Sequence, residues 1–269
     1  MRWKAFTAFA ATSLITAWAH AKAPTTKAEF CEMAHKPATM RALLADTDNQ
    51  LSFTNRGGLG DAGVCWWHSM FTRNANYLAI YRPDEPRPNR NEARQIIMDI
   101  AANRGVVEIP GFKNLSEFSY AHSSEIQQSL EGGQIVDGGL LFGWVRGVTG
   151  NHEIPADELK TRMDQLYMEV SKGIIPYQML QIEGITAHAW LVVNMKKTAN
   201  GYILTVHDSN YKGTYNVVYT DGMTQLSDYQ AVPYTSRNMM DYASYETALK
   251  NFCKRGFTAK DLRESRSKR

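Results

Sequence analysis

The chain is poor in the signatures that would give it a metal or a nucleotide. Its 269 residues hold three cysteines, with no Cys-x-x-Cys pair and no His-Glu-x-x-His run, and His68, His122 and His152 are scattered singly, so no metal is expected. The Gly132-Gly133 and Gly138-Gly139 pairs lack the Lys-Ser/Thr of a phosphate loop, and no cofactor is expected. Charge is close to balance, 30 Lys and Arg against 27 Asp and Glu, without the concentrated basic face that phosphate backbones require, which argues against a nucleic-acid partner. There is no internal repeat. Beyond the first residues no apolar run approaches the roughly 20 residues of a membrane-spanning helix.

What is present begins with Arg2 and Lys4, an apolar run from Ala5 to Trp18, and Ala19-His20-Ala21, a small-x-small pattern suited to cleavage before Lys22. Residues 1–21 therefore read as a signal peptide of an exported protein, periplasmic or secreted, with no membrane span once it is removed. Residues 22–259 are expected to form one domain, and the Arg-, Lys- and Ser-rich residues 260–269 a basic, flexible tail. A hydrophobic content of 43% is enough for a real core. Cys31 and Cys253 stand near the two ends of the mature chain, where an oxidising compartment would allow them to pair and leave Cys65 free; the alternative is three reduced, buried thiols.

Apolar periodicity predicts helices over 29–45 with an interruption at Pro37, over 64–81, 92–104, 116–130 and 157–172, the last stopped by Gly173, with a closing helix over 241–256. The Gly- and Asn-rich residues 54–63 predict a loop, and the Gly-rich stretch 132–150 a crossover or lid. Short β-branched and aromatic runs over 174–182, 188–195, 202–207 and 215–219 predict strands. Helices first and strands second give an α+β class, a helical subdomain packed on an antiparallel β subdomain.

Cys65 follows the Gly-rich approach at the start of a predicted helix, where unpaired amides and the macrodipole favour a thiolate and can face an oxyanion. His188 opens a strand that folds back on the one ending at Asp208. With Lys196 opposite Asn200, His188 pairs with Asp208, close enough for a carboxylate to hold the imidazole, while His207 points to the other face. A slip of two residues would bring Asn210 opposite His188 instead. His68, three residues after Cys65, is expected as a partly exposed helix histidine within reach of the thiolate.

Gly63-Val64-Cys65-Trp66 resembles the nucleophile motif of papain-like cysteine peptidases, His188-Ala189-Trp190 resembles their strand histidine, and Val206-His207-Asp208-Ser209-Asn210 is similar to the segment carrying the third residue in bacterial members. The resemblance implies a helical half against a β half with an active-site cleft between them. It also implies a monomeric cysteine hydrolase acting on a peptide or protein, cell-wall peptide included, with catalytic residues Cys65, His188 and Asp208. The family's oxyanion-hole Gln falls on Leu59 here, so Asn55 is the candidate to replace it, and the Asn-Ser-Trp-Gly that follows the histidine in part of the family is absent. A transglutaminase-like acyl transferase shares the Cys, His-Ala-Trp, Asp order, and an inactive papain-like binding module would explain the missing Gln.

Overall fold

The computed structural model describes residues 21–33, 36–61, 63–136, 151–184, 187–234 and 238–267. Most of the expected signal peptide, residues 1–20, and most of the expected lid, residues 137–150, lie outside them. Among the described residues no helix is long and apolar enough to cross a membrane.

The chain is mixed α+β. α1 (Lys27–Met33) and α2 (Pro37–Ala45) are separate, and Pro37 sits in the first turn of α2, where its missing N–H costs nothing. α3 (Cys65–Leu78) is shorter than expected: Ala79 to Tyr81 leave the helix as β1 (Ala79–Arg82), which pairs in parallel with β2 (Val107–Pro110). Periodicity alone missed this because Ala79, Ile80 and Tyr81 are apolar on every side, and their burial against the second strand overrides helix propensity. Between the two strands lies α4 (Arg90–Ala101), opened by a reciprocal capping box of Asn89 and Glu92. The helix expected over 116–130 is two, α5 (Leu115–Ala121) and α6 (Ser123–Gln134), separated at His122.

α7 (Ala156–Ser171) ends at Gly173, whose φ of +84° is the left-handed stop the sequence implied. A five-stranded antiparallel sheet follows, built from β3 (Tyr177–Gln181), β4 (Ala187–Thr198), β5 (Gly201–Asp208), β6 (Tyr215–Thr220) and β7 (Val232–Pro233) in the order β6-β5-β4-β3-β7. The two-residue β7 carries too little pattern to be read in advance. One face, with Trp190, Val192, Leu204 and Val206, packs on Leu159, Met163, Leu166 and Val170 of α7. The other, with Ala189, Leu191 and Val193, packs on Cys65 and Trp66 of α3 and Leu43 and Leu44 of α2.

The register of β4 on β5 differs from the expected one. The hairpin closes with Thr198 opposite Gly201, a β-bulge falls between Val192 and Asn194, and Trp190, not His188, stands opposite Asp208. Had the ladder run on from the turn without the bulge, Ser209 would face Trp190 and Asp208 would point to the opposite side of the sheet from His188. The extra residue restores the parity. His188 and Asp208 share a face as diagonal neighbours two residues apart, a separation their side chains span.

α8 (Asn238–Arg255) closes the chain back on α1, and Cys31 and Cys253 form a disulfide beside Phe30, Ile80, Val106, Leu249 and Phe252. The tail expected over 260–269 is instead helical, α9 (Ala259–Ser267), and it is docked: Ala259 is buried, its N–H donates to Val106 O, and Arg263 pairs with Asp99 of α4. The basic residues of this segment read as a solvated run because their acidic partner is distant in sequence.

Candidate functional site

The loop ahead of Cys65 fixes the angle at which the chain enters α3. Gly63 has φ +85°, and a Cβ there would lie 2.5 Å from Asn55 Nδ2, so only glycine fits. Gly63 N–H donates to Gly57 O at 2.7 Å, and Gln134 Nε2 of α6 donates to Gly63 O at 3.0 Å. Val64 caps α3 without a side-chain hydrogen bond, so Cys65 occupies the first turn of a 14-residue helix, where the leading amides have no acceptor within the helix. Ser69 Oγ, one turn on, donates to Ala189 O at 3.2 Å and ties α3 to β4.

Cys65 is the free cysteine, 8% exposed, with Sγ 4.0 Å from Ala187 O at the first residue of β4. The side chain of the next residue, His188, titrates under the influence of that thiol. His188 Nε2 donates to Asp208 Oδ1 at 2.8 Å, so the ring is held by a carboxylate. Asp208 is fully buried and saturated: Oδ1 also accepts from Asn210 N–H at 2.8 Å, while Oδ2 accepts from Tyr229 Oη at 2.7 Å and Tyr215 Oη at 3.1 Å. Four donors match the acceptor capacity of an ionised carboxylate.

The electrostatics follow. Burial alone would raise the Asp208 pKa, but the His188 hydrogen bond and charge, Asn210 N–H and Tyr229 outweigh it and hold the carboxyl below its ordinary range. Burial would lower the His188 pKa, yet the hydrogen bond to Asp208, the influence of Cys65 and the negative charges of both raise it to about 9. An imidazolium is therefore the stable form at neutral pH when the sulfur carries charge.

The structure thus brings together Cys65, His188 and Asp208, and gives the other two candidates a different place. Asn55 Oδ1 accepts from Val64 N–H at 2.6 Å and its Nδ2 donates to Asn210 Oδ1 at 3.0 Å. Asn55 thus spends its carbonyl and one N–H of its amide on bracing the loop ahead of Cys65. Asn210 donates through Nδ2 to Tyr229 Oη at 3.1 Å and through its backbone to Asp208; it supports the orienting carboxylate and does not hold His188 itself. The chain Val64, Asn55, Asn210, Asp208 links the loop ahead of Cys65 to the buried carboxylate.

His68 is corrected. It is buried, its Nε2 donates to Phe53 O at 2.9 Å, and burial pushes its pKa down to about 3, so it is neutral. His207, on the face away from His188 as expected, is also buried and bonds Gly213 O through Nδ1 at 3.0 Å. Two tyrosines escaped the sequence reading. Tyr215 is opposite Val206, two residues from Asp208 on the same face, a position that the β5–β6 register gives. Tyr229 carried no signal: it lies in a loop with φ +58°, a conformation that costs a side-chain-bearing residue about 1–3 kcal/mol, and its ring sits 4.6 Å from that of His188. Tyr229→Phe removes a donor to a buried charge and leaves the Asn210 amide short of an acceptor; urea unfolding should show a loss of about 1.5–3 kcal/mol.

A cavity of about 810 Å³ between α2 and the sheet, lined by Arg41, Ala42, Asp46, Asn194 and Asn216 among others, reaches Tyr215 but not Cys65, His188 or Asp208. Among the described residues no group of three or more His, Cys, Asp or Glu is placed to hold a metal ion. Neither the family models, the curated proteins nor the solved structures give a match to this chain.

Proposed function

We propose that the protein is a cysteine hydrolase of papain-like arrangement, exported by the leader at residues 1–21, that cleaves peptide or amide bonds. Cys65 Sγ attacks the carbonyl carbon, His188 takes the thiol proton and later gives it to the leaving amine, and Asp208 fixes the ring orientation and stabilises its cation. A thioester forms as the amine leaves, and water attacks it with His188 as base. The single observation that carries this reading is a free thiol against Ala187 O, with the next residue, His188, held by a buried carboxylate whose every lone pair is filled. A structural histidine needs no such saturated acid behind it. The Cys65 amide, in the first turn of α3, supplies one donor to the oxyanion.

Alkylation by iodoacetamide tests the assignment without knowledge of the substrate. His188 stays protonated below its raised pKa of about 9 and loses the proton above it, so its help to the thiolate is present at pH 6 and fades as pH passes about 9. At pH 6 the native protein should label at Cys65 about tenfold or more faster than His188→Ala. The gap should close towards pH 10, where any thiol ionises. Equal, slow labelling of both proteins at pH 6 rejects the reading.

A further inference from the structure

Tyr234 follows directly on β7, and its N–H donates to Met179 O at 3.1 Å, which carries the β3–β7 pairing one residue past Leu180 opposite Pro233. By that register Tyr234 stands beside Met179, which in turn is opposite Ala189 of β4. Side chains alternate across a sheet, so Tyr234, Met179 and Ala189 project to the face that receives α3. The packing agrees: the Tyr234 ring is half-buried against the cluster that holds Cys65, Trp66 and Ala189. Its hydroxyl is enclosed and has no hydrogen-bond partner. The Tyr77 and Tyr219 hydroxyls are also enclosed without a partner, but of the three only Tyr234 packs beside Cys65 closely enough to feel its charge. Its costly unpaired donor is therefore the one placed to meet an acceptor arriving at the thiol.

We propose that Tyr234 is a catalytic residue whose phenolic O–H donates to the oxyanion formed when Cys65 Sγ adds to a substrate carbonyl. The inference rests on the hydrolase reading of Cys65 and His188. In the step, the new S–C bond forms as the C=O π pair moves onto oxygen; the oxygen accepts the Tyr234 hydrogen bond, and the phenol keeps its proton. Collapse returns the pair to the carbonyl and expels the leaving group, which His188 protonates. Tyr234 thus fills the role left open by Leu59 and by the engaged Asn55. Burial first, and then the negative charge at Cys65, push the Tyr234 pKa upward, so the group remains a donor through the cycle. Tyr177, whose titration also feels Cys65, is fully buried with the Arg73 guanidinium 5.5 Å over its ring and cannot reach a substrate in the same way.

Two reagents separate oxyanion binding from thiolate activation. Acylation of Cys65 by p-nitrophenyl acetate passes through a tetrahedral oxyanion; alkylation by iodoacetamide does not. For the full mature chain, Tyr234→Phe should slow the p-nitrophenolate burst about 10- to 100-fold while leaving the alkylation rate within about twofold of native. The Tm should not fall, because the hydroxyl removed has no partner in the free protein. An unchanged burst overturns the proposal, as does a matching loss in both reactions, which would place Tyr234 behind the thiolate instead. His188→Ala serves as the reference: it should slow both reactions. If the native protein shows neither a Cys65-dependent burst nor His188-dependent alkylation, the hydrolase reading itself fails, and the Tyr234 role with it.

Discussion

Asp208→Ala is expected to destabilise the protein by about 3–5 kcal/mol, because it removes one partner of a buried ion pair and strands the rest. Four donors lose their acceptor at once: His188 Nε2, Asn210 N–H, Tyr215 Oη and Tyr229 Oη. His188 is buried with Asp208 and finds no substitute partner, whereas Asn210, Tyr215 and Tyr229 are partly exposed and bear less of the cost. The effect on chemistry should be as large. Without the carboxylate, burial dominates at His188 and favours the neutral ring with neither tautomer held, so turnover of p-nitrophenyl acetate should fall on the order of 10²–10⁴-fold. The pH dependence has a definite sign. The native Asp208 pKa lies below its unfolded value, so its contribution is full above the ordinary carboxyl range and is lost as pH falls through the native value. Urea unfolding should therefore separate native and Asp208→Ala proteins at pH 7 and bring them together in acid. A variant as stable as the native protein at pH 7 would contradict the saturated carboxylate.

The second large effect is expected at the chain ends. The disulfide joins residues 222 apart, and the chain-entropy account assigns such a loop about 5 kcal/mol. The double variant Cys31→Ala, Cys253→Ala should lose that much, a fall in Tm on the order of 10–20 °C for a chain of this size. The bridge lies on a small apolar cluster, with Phe30 and Phe252 edge-to-face at 5.6 Å, so a loss below about 1 kcal/mol would mean that packing alone holds the ends. His188-dependent alkylation of Cys65 should survive in this variant below its Tm, because no contact of the bridge reaches the site.

Much of this was legible in the residues, and the failures have identifiable causes. The helix starting at Cys65, the stop at Gly173 and the four longer strands follow from local pattern, and local pattern is sufficient where an element buries one face. Cys65, His188 and Asp208 could be named because each lies at the end of a readable element. What the sequence hid was decided at a distance. Ala79–Arg82 became a strand through a partner 28 residues away, α9 is anchored by Asp99, and Asp208 is buttressed by Tyr229 from a loop with no periodicity. His68 looked exposed because helical spacing does not reveal that β5 brings His207 and Asp208 close enough for both to act on its titration. Asn55 looked free because its partner, Asn210, is remote in the chain.

The bulge beside Val193 has a genetic consequence. Odd and even positions on β4 exchange sides there because one residue has no partner on β5. Losing Val193 would therefore leave a regular ladder, Val192 still opposite Val206 and Trp190 still opposite Asp208, so a one-codon deletion at that point would keep the carboxylate on its side.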